Sequence, residues 1–152
     1  MTVSEQGKTL IKEFEALRLT RYADAAGKDT IGWGHLILPT DKIGNTITKA
    51  QAETLLNADL MTAERAVLNA FTVPLNQNQF NALVSFQFNT GNRIFSSTGL
   101  RSLINGNGRP IDIYNFWTTH YISADGVTLP GLVRRRKAEA DLYLGYTEKK
   151  KK

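Results

Sequence analysis

Residues 14–35 of the chain read FEALRLTRYADAAGKDTIGWGH, and a change of hydrophobic periodicity inside this segment indicates the architecture. An apolar stripe at helical spacing leads into the segment, formed by Leu10, Ile11, Phe14 and Leu17. Residues 24–28 have turn chemistry, and residues 30–34 are rich in β-branched, aromatic and glycine residues. The segment therefore predicts a helix followed by a small β-hairpin over residues 18–35, with Asn45–Ile47 as a candidate third strand.

The rest of the chain has the pattern of helices. Ser4 is a typical N-cap for the first helix, and Thr48 with Gln51 matches a capping box at the start of a long helix that ends before Pro74. Residues 76–88 are apolar over much of a helical circumference, which is typical of a buried central helix. Further helices are predicted over residues 97–105, 110–118 and 131–145, with a loop over residues 121–131. The predicted class is α+β, a mainly helical protein with a small N-terminal β-hairpin or three-stranded sheet.

Composition and charge exclude several classes of protein. The chain has 152 residues and no cysteine, which excludes a disulfide framework and a thiol nucleophile. It has no apolar run long enough to span a membrane, and its first residues lack the pattern of a secretory signal. Residues 1–133 balance eleven basic against eleven acidic side chains, so the net charge of +5 lies entirely in residues 134–152. We therefore expect no nucleic-acid partner, because no basic surface extends over the molecule.

Of the kinds of functional site that we considered, the sequence favours a pair of carboxylates. A metal site is weakly indicated, because His35 and His120 are far apart in sequence and neither has a second ligand at helical spacing. A Ser-His-Asp set stays open on composition, but no Gly-x-Ser-x-Gly elbow is present. Gly32-x-Gly34 does not complete a phosphate-binding fingerprint.

Glu15 and Asp24 are candidates for that pair, with Thr30 close behind them in the chain. Hydrolysis of a glycosidic bond needs one carboxylic acid to protonate the leaving oxygen and a second carboxylate as nucleophile or base. Glu15 faces the negative end of the first helix, which suits an acid, whereas Arg18 nearby favours the ionised form. Asp24 suits the ionised partner, and the Thr30 hydroxyl could hold a water. From spacing alone, a solvated helix-end charge at Glu15 and a turn former at Asp24 are the more probable interpretation.

The same segment closely resembles the signature of the bacteriophage lysozymes (endolysins) of glycoside hydrolase family 24, in which a Glu…Asp…Thr triad has this spacing. The matching string is Phe14-Glu15-Ala16-Leu17-Arg18-Leu19-x-x-Tyr22-x-Asp24-x-x-Gly27-x-x-Thr30-Ile31-Gly32-Trp33-Gly34-His35. Residues 74–91 resemble the central helix of the family and residues 129–139 the start of its C-terminal helix. The family usually has glycine where this chain has Ala16. Because alanine adopts positive φ less readily, we expect a helical backbone there or a different local geometry.

The resemblance implies a role for each site residue. Glu15 would be the general acid, Asp24 the base or stabilising carboxylate, and Thr30 the residue that positions the water. An inverting reaction, usual in the family, would place the two carboxyl groups roughly 6.5–9.5 Å apart. The substrate-binding residues would be His35, Phe86 and Gln87. One arginine of Arg134–Arg136 would contact the triad, with Arg135 preferred. Trp33, Trp117 and Tyr121 are candidates for stacking on sugar rings, although Trp117 fits the core better.

The implied function is that of a muramidase, which cleaves the β-1,4 bond between N-acetylmuramic acid and N-acetylglucosamine in peptidoglycan. A lytic transglycosylase and a non-catalytic cell-wall-binding relative are the alternatives. The fold would be a two-lobe lysozyme with a single catalytic domain over residues 1–148, in which the β lobe covers about 17–47. The helical lobe would cover about 48–148 together with the first helix. We expect a monomer without metal or cofactor, acting from the host cytoplasm after a separate protein permeabilises the membrane. The basic tail, residues 149–152, could bind anionic envelope polymers.

Overall fold

The computed structural model describes residues 1–24 and 26–146. Over these residues it has a mainly helical fold with two small antiparallel sheets. The helices are α1 (Glu5–Glu15), α2 (Lys49–Ala70), α3 (Gln77–Thr90), a 3₁₀ helix (Gly91–Phe95), α4 (Leu100–Asn105), α5 (Pro110–Thr119) and α6 (Pro130–Leu144). The strands are β1 (Arg18–Ala23), β2 (Asp29–Gly32), β3 (His35–Leu36), β4 (Ser123–Ala124) and β5 (Val127–Thr128). The α+β class is confirmed.

The N-terminal segment forms the predicted helix and hairpin. The Ser4 side chain caps α1 by accepting from the Gly7 amide, and β1 pairs with β2 so that Tyr22 lies opposite Thr30. The expected third strand at Asn45–Ile47 is present only as one antiparallel bridge to β1, between Thr46 and Thr20, with backbone hydrogen bonds on either side of it. The third strand of the sheet is instead β3, which directly follows β2. The reason is the reversal around Trp33, where Gly32 and Gly34 both adopt positive φ and turn the chain back at once.

The helical part is built around α3, which packs against α1, α2 and α6. The predicted capping box of Thr48 and Gln51 is present on α2, and Asn76 and Gln79 form a second one on α3 that was not predicted from the sequence. Residues 80–86 are all buried, as expected for a central helix. Trp117 is fully buried, which confirms the preference for a core position.

A second hairpin lies in the segment expected to be a loop. Strands β4 and β5 are joined by Asp125 and Gly126, both at positive φ, which is the backbone of a two-residue type I′ turn. An Asp-Gly pair between short strand-forming residues is a recognised hairpin signal, so this element was available from the sequence.

Within residues 1–24 and 26–146, no helix is both long and apolar enough to cross a bilayer. The basic tail, residues 149–152, lies outside the described residues, as do the last two residues of the domain predicted over 1–148. The assignment of envelope binding to that tail therefore stays a prediction.

Candidate active site

A cavity of about 590 Å³ lies between the first sheet and the β4–β5 hairpin. Glu15, Asp24 and Thr30 all line it, so the structure brings the predicted triad together. The other lining residues are Tyr22, Ala26, Lys28, Gly34, Phe88, Asn89, Thr90, Arg93, Tyr121, Ser123, Ala124, Asp125, Leu129 and Leu132. The cavity thus has one wall from the N-terminal sheet and another from the helical part of the chain.

Glu15 is the last residue of α1, and its carboxylate is held from two sides. Nη1 of Arg135 donates to its Oε2 at 2.5 Å, across 120 residues of sequence. Its Oε1 lies so close to Gly34 that a Cβ at that position would overlap it. Arg135 is therefore the arginine that contacts the triad, whereas Arg136 is bound to Glu139 inside the protein.

Asp24 is fixed by the turn that it begins. The amides of Ala26 and Lys28 both donate to its Oδ1 at 2.9 Å. The Thr30 hydroxyl donates to the Lys28 carbonyl at 2.9 Å, so its oxygen lone pairs remain available to accept from a water. Among the described residues, Oδ2 of Asp24 has no hydrogen-bond donor.

Tyr22 is a site residue that the sequence argument did not single out. It lies opposite Thr30 in the β1–β2 ladder and lines the cavity, with the Arg18 guanidinium 4.6 Å from its ring centroid. Burial raises the pKa of its hydroxyl, and the negative charges of Glu15 and Asp24 raise it further. Tyr22 therefore stays a neutral hydrogen-bond donor beside the two carboxylates. Its position two residues before Asp24, at the end of β1, is the sequence signal that could have found it, because side chains two apart in an extended chain point to the same face.

The three predicted substrate-binding residues do not line the cavity. His35 is buried, with Nδ1 at 2.7 Å from Oδ2 of Asp59 and Nε2 at 2.8 Å from Oδ2 of Asp41. Phe86 is also buried and packs its ring edge-on against Trp117. Gln87 is half-buried and is absent from the lining. Helical periodicity could not separate Phe86 and Gln87 from cleft positions, because α3 carries core residues and, at its end, residues that line the cavity.

The aromatic candidates separate in the same way. Trp33 is buried, with Nζ of Lys12 at 4.4 Å from its ring centroid, and Trp117 is in the core. Tyr121 is the member of the three that lines the cavity.

His35 makes stability depend on pH. The hydrogen bond to Asp59 is the largest cause that raises its pKa, and Asp41 adds to it against the opposing effect of burial, giving a pKa of about 9. Because the folded-state pKa is above the unfolded value of about 6.5, this stability is fully present below pH 6.5 and is lost as pH rises through 9. We expect the free energy of unfolding to fall by about 2 kcal/mol between pH 6.5 and 9.5, since partial exposure of both aspartates weakens the pairs.

Urea unfolding at a series of pH values measures this window. Asp59→Asn should reduce the fall in the free energy of unfolding across this pH range. Asp112→Asn, which changes an exposed pair with Arg109, should leave the pH dependence unchanged. A wild-type curve that is flat between pH 6.5 and 9.5 would contradict the assignment.

Ala16 holds a backbone conformation that favours glycine. Its φ of 54° and ψ of 144° lie in a region that L-residues rarely adopt, so the expectation of a helical backbone at this position is wrong. A residue held in this region costs the folded state about 1–3 kcal/mol of conformational strain. Glycine relieves that strain, but it also gives the unfolded chain more conformational freedom, which offsets part of the gain in stability. We expect Ala16→Gly to stabilise the protein by about 1 kcal/mol in urea unfolding.

Ala58→Gly is the matched control for Ala16→Gly. Ala58 is exposed in the middle of α2, where glycine should cost about 0.5–1 kcal/mol. An Ala16→Gly variant that loses stability as Ala58→Gly does would show that no strain is stored at residue 16.

The chain is similar to known proteins over most of its length. The model of the family described as "Phage lysozyme" matches residues 12–139. The endolysin of Acyrthosiphon pisum secondary endosymbiont phage 1 is 36% identical over 94% of this chain and 98% of its own length. The solved endolysin from Escherichia coli O157:H7 phage FAHEc1 superposes with a TM-score of 0.82 at 35% identity, covering 97% of this chain and 98% of that one. The muramidase domain of SpmX from Asticaccaulis excentricus gives 0.81 at 35% identity, covering 94% and 97%.

Proposed function

The chain belongs to the phage lysozyme family and is a peptidoglycan hydrolase, and we propose that Glu15, Asp24 and Thr30 carry out its reaction. The observation that carries the proposal is that these three residues, from the end of α1, the β1–β2 turn and strand β2, line one cavity. Beside the acid, an inverting glycosidase needs a second carboxylate to activate water, and the hydroxyl can help to position that water.

In the proposed mechanism Glu15 is the general acid. Because Arg135 occupies Oε2, the proton is carried by Oε1, the oxygen next to Gly34. This proton passes to the glycosidic oxygen as the bond from that oxygen to the anomeric carbon of the muramic acid breaks. Glycine at position 34 leaves the room that Oε1 needs.

Asp24 is the general base in the same step. A water donates one proton to Oδ2 of Asp24 and bonds through its oxygen to the anomeric carbon, while its second hydrogen is accepted by the Thr30 hydroxyl. The two turn amides hold Oδ1, so the carboxylate keeps its position when it takes up the proton. Attack by water on the face opposite the leaving group inverts the configuration.

Product analysis tests this mechanism against the transglycosylase alternative. A hydrolase releases fragments that end in a reducing muramic acid, whereas a transglycosylase releases an anhydro sugar that is one water lighter. We expect mass spectrometry of digested peptidoglycan to show reducing ends. Anhydro ends as the main product would contradict the role of Asp24 and Thr30.

The protein acts on the cell wall, and we infer that it reaches the wall from the host cytoplasm after a separate protein permeabilises the membrane. Cells that express the chain alone should stay intact until chloroform breaches the membrane. Spontaneous lysis without such treatment would contradict this route. Action as a monomer, without metal, cofactor or nucleic acid, stays a prediction.

A further inference from the structure

The cavity carries a cation that the proposed reaction does not use. Its lining includes the acidic residues Glu15, Asp24 and Asp125 and the basic residues Lys28 and Arg93. Lys28 belongs to the turn that holds Asp24, whereas Arg93 comes from the 3₁₀ helix on the helical side. Within the described part of the chain, the Arg93 guanidinium has neither an ion pair nor a hydrogen bond. A substrate group can therefore bind it without displacing a protein partner.

The position of Arg93 is fixed although its side chain is exposed. The next residue, Ile94, is fully buried and anchors the 3₁₀ helix in the core. The Arg93 carbonyl accepts from the Ser96 amide at 3.2 Å and closes that helix. The backbone at Arg93 is thus fixed beside the cavity, so that binding a substrate group has to order only the side chain.

Tyr121 provides a rigid platform next to this guanidinium. It has a φ of 62°, a conformation that a non-glycine residue holds only where its surroundings enforce it. Nη1 of Arg136 donates to its carbonyl at 3.3 Å, and its ring packs edge-on against Phe86 at a centroid distance of 4.8 Å. A Cβ at Gly99 would lie 2.9 Å from the Tyr121 hydroxyl oxygen, so the absence of a side chain there admits the ring. The Arg93 guanidinium lies 6.0 Å from the ring centroid.

The substrate of a muramidase supplies the complementary charge. Each muramic acid carries a lactyl branch that ends in a carboxylate or in a peptide with free carboxylates, whereas polymers of N-acetylglucosamine alone are neutral. An arginine binds a carboxylate through two parallel N–H···O bonds, which a lysine cannot reproduce.

We propose that Arg93, supported by the ring of Tyr121, forms a subsite for a carboxylate on the lactyl branch of the muramic acid. The inference rests on the proposed function, since it assigns a specificity group to the same cavity. Arg93 touches the branch and not the scissile bond, so it should act on substrate binding and leave the rate of the bound complex unchanged.

Steady-state kinetics of Arg93→Gln on soluble, uncrosslinked glycan strands tests the subsite. On intact strands we expect KM to rise roughly five- to tenfold with kcat unchanged, which is the loss of one partly exposed charged contact. On strands whose carboxyl groups have been converted to amides, wild type and variant should have the same KM. Arg93→Lys should be intermediate on intact strands, because it keeps the charge without the paired donors.

A third substrate identifies the source of the carboxylate. Strands freed of their peptides by an amidase keep the lactyl carboxylate. If the rise in KM caused by Arg93→Gln persists on these strands, Arg93 contacts the lactyl carboxylate. If the rise disappears, Arg93 contacts a carboxylate of the peptide. Both results support the subsite.

Arg65→Gln is the matched control, because Arg65 is exposed on α2 and is not part of the cavity lining. It should leave KM unchanged on every substrate. The subsite is refuted if Arg93→Gln raises KM equally on intact and amidated strands, or if Arg65→Gln raises KM as much as Arg93→Gln does. Failure of the wild type to release reducing muramic acid from any strand would instead refute the proposed function.

Discussion

Replacing Glu15 with glutamine is expected to lower kcat/KM for peptidoglycan by about 10²–10⁴-fold, the usual contribution of a positioned general acid. Glutamine has the shape of glutamate but no transferable proton, so the leaving oxygen would depart as an anion. The amide can still accept from Nη1 of Arg135, and Arg135 keeps its bonds to Glu139 and to the Ser85 carbonyl. The variant should therefore fold and fail at the chemical step.

Loss of turbidity of purified peptidoglycan measures this effect, with thermal unfolding as a check on the fold. Glu13→Gln is the matched control, because Glu13 is exposed on the same helix two residues earlier and is not among the residues that line the cavity. It should retain wild-type activity. Full lytic activity in Glu15→Gln would remove Glu15 from the mechanism altogether.

The triad could be predicted from the sequence because its geometry is local. Glu15, Asp24 and Thr30 lie within one helix end and one hairpin, and a hairpin brings its own residues together wherever it sits in the fold. The same locality explains why the Ser4 cap, the Thr48–Gln51 capping box and the buried central helix were predicted correctly. Each of these features depends on interactions over a few residues or on one helical period.

The partners of the triad could not be predicted from residue patterns alone, because they depend on packing over long distances; Arg135 was preferred only on the family resemblance. The arginine that contacts Glu15 lies 120 residues away. The choice among three consecutive arginines is decided by the rotation of α6 about its axis. Apolar periodicity does not report that rotation, since Arg135, Arg136 and Glu139 are all buried. The two carboxylates that hold His35 likewise come from a loop and from α2.

Those buried charges lead to the largest expected effect on stability, at Glu139. Its carboxylate is fully buried and accepts from four side chains: Ser85 at 2.6 Å, Trp117 at 3.2 Å, Arg135 at 3.2 Å and Arg136 at 3.0 Å. Burial lowers the pKa of the Arg136 guanidinium, and the charge of Glu139 opposes that shift. Glu139 is thus the anion that allows two cations to remain inside the protein.

Glu139→Gln is expected to destabilise the protein by about 3–5 kcal/mol, because it leaves Arg136 charged and buried without a counterion. The charge of Arg135 is less affected, since it still has Glu15 as a counterion. Urea unfolding at neutral pH measures the loss, and Asp112→Asn, at an exposed pair, should produce no measurable change.

A second variant separates the unpaired charge from a change in packing. Arg136→Met combined with Glu139→Gln removes the cation together with its counterion, so it should recover part of the stability that Glu139→Gln loses. If the double variant were no more stable than Glu139→Gln, packing and not charge would explain the loss. Because Arg135 connects Glu139 to Glu15, Glu139→Gln should also lower kcat at temperatures where it is fully folded. The buried network and the catalytic acid would then be one structural unit, in which the last helix of the chain fixes the end of the first.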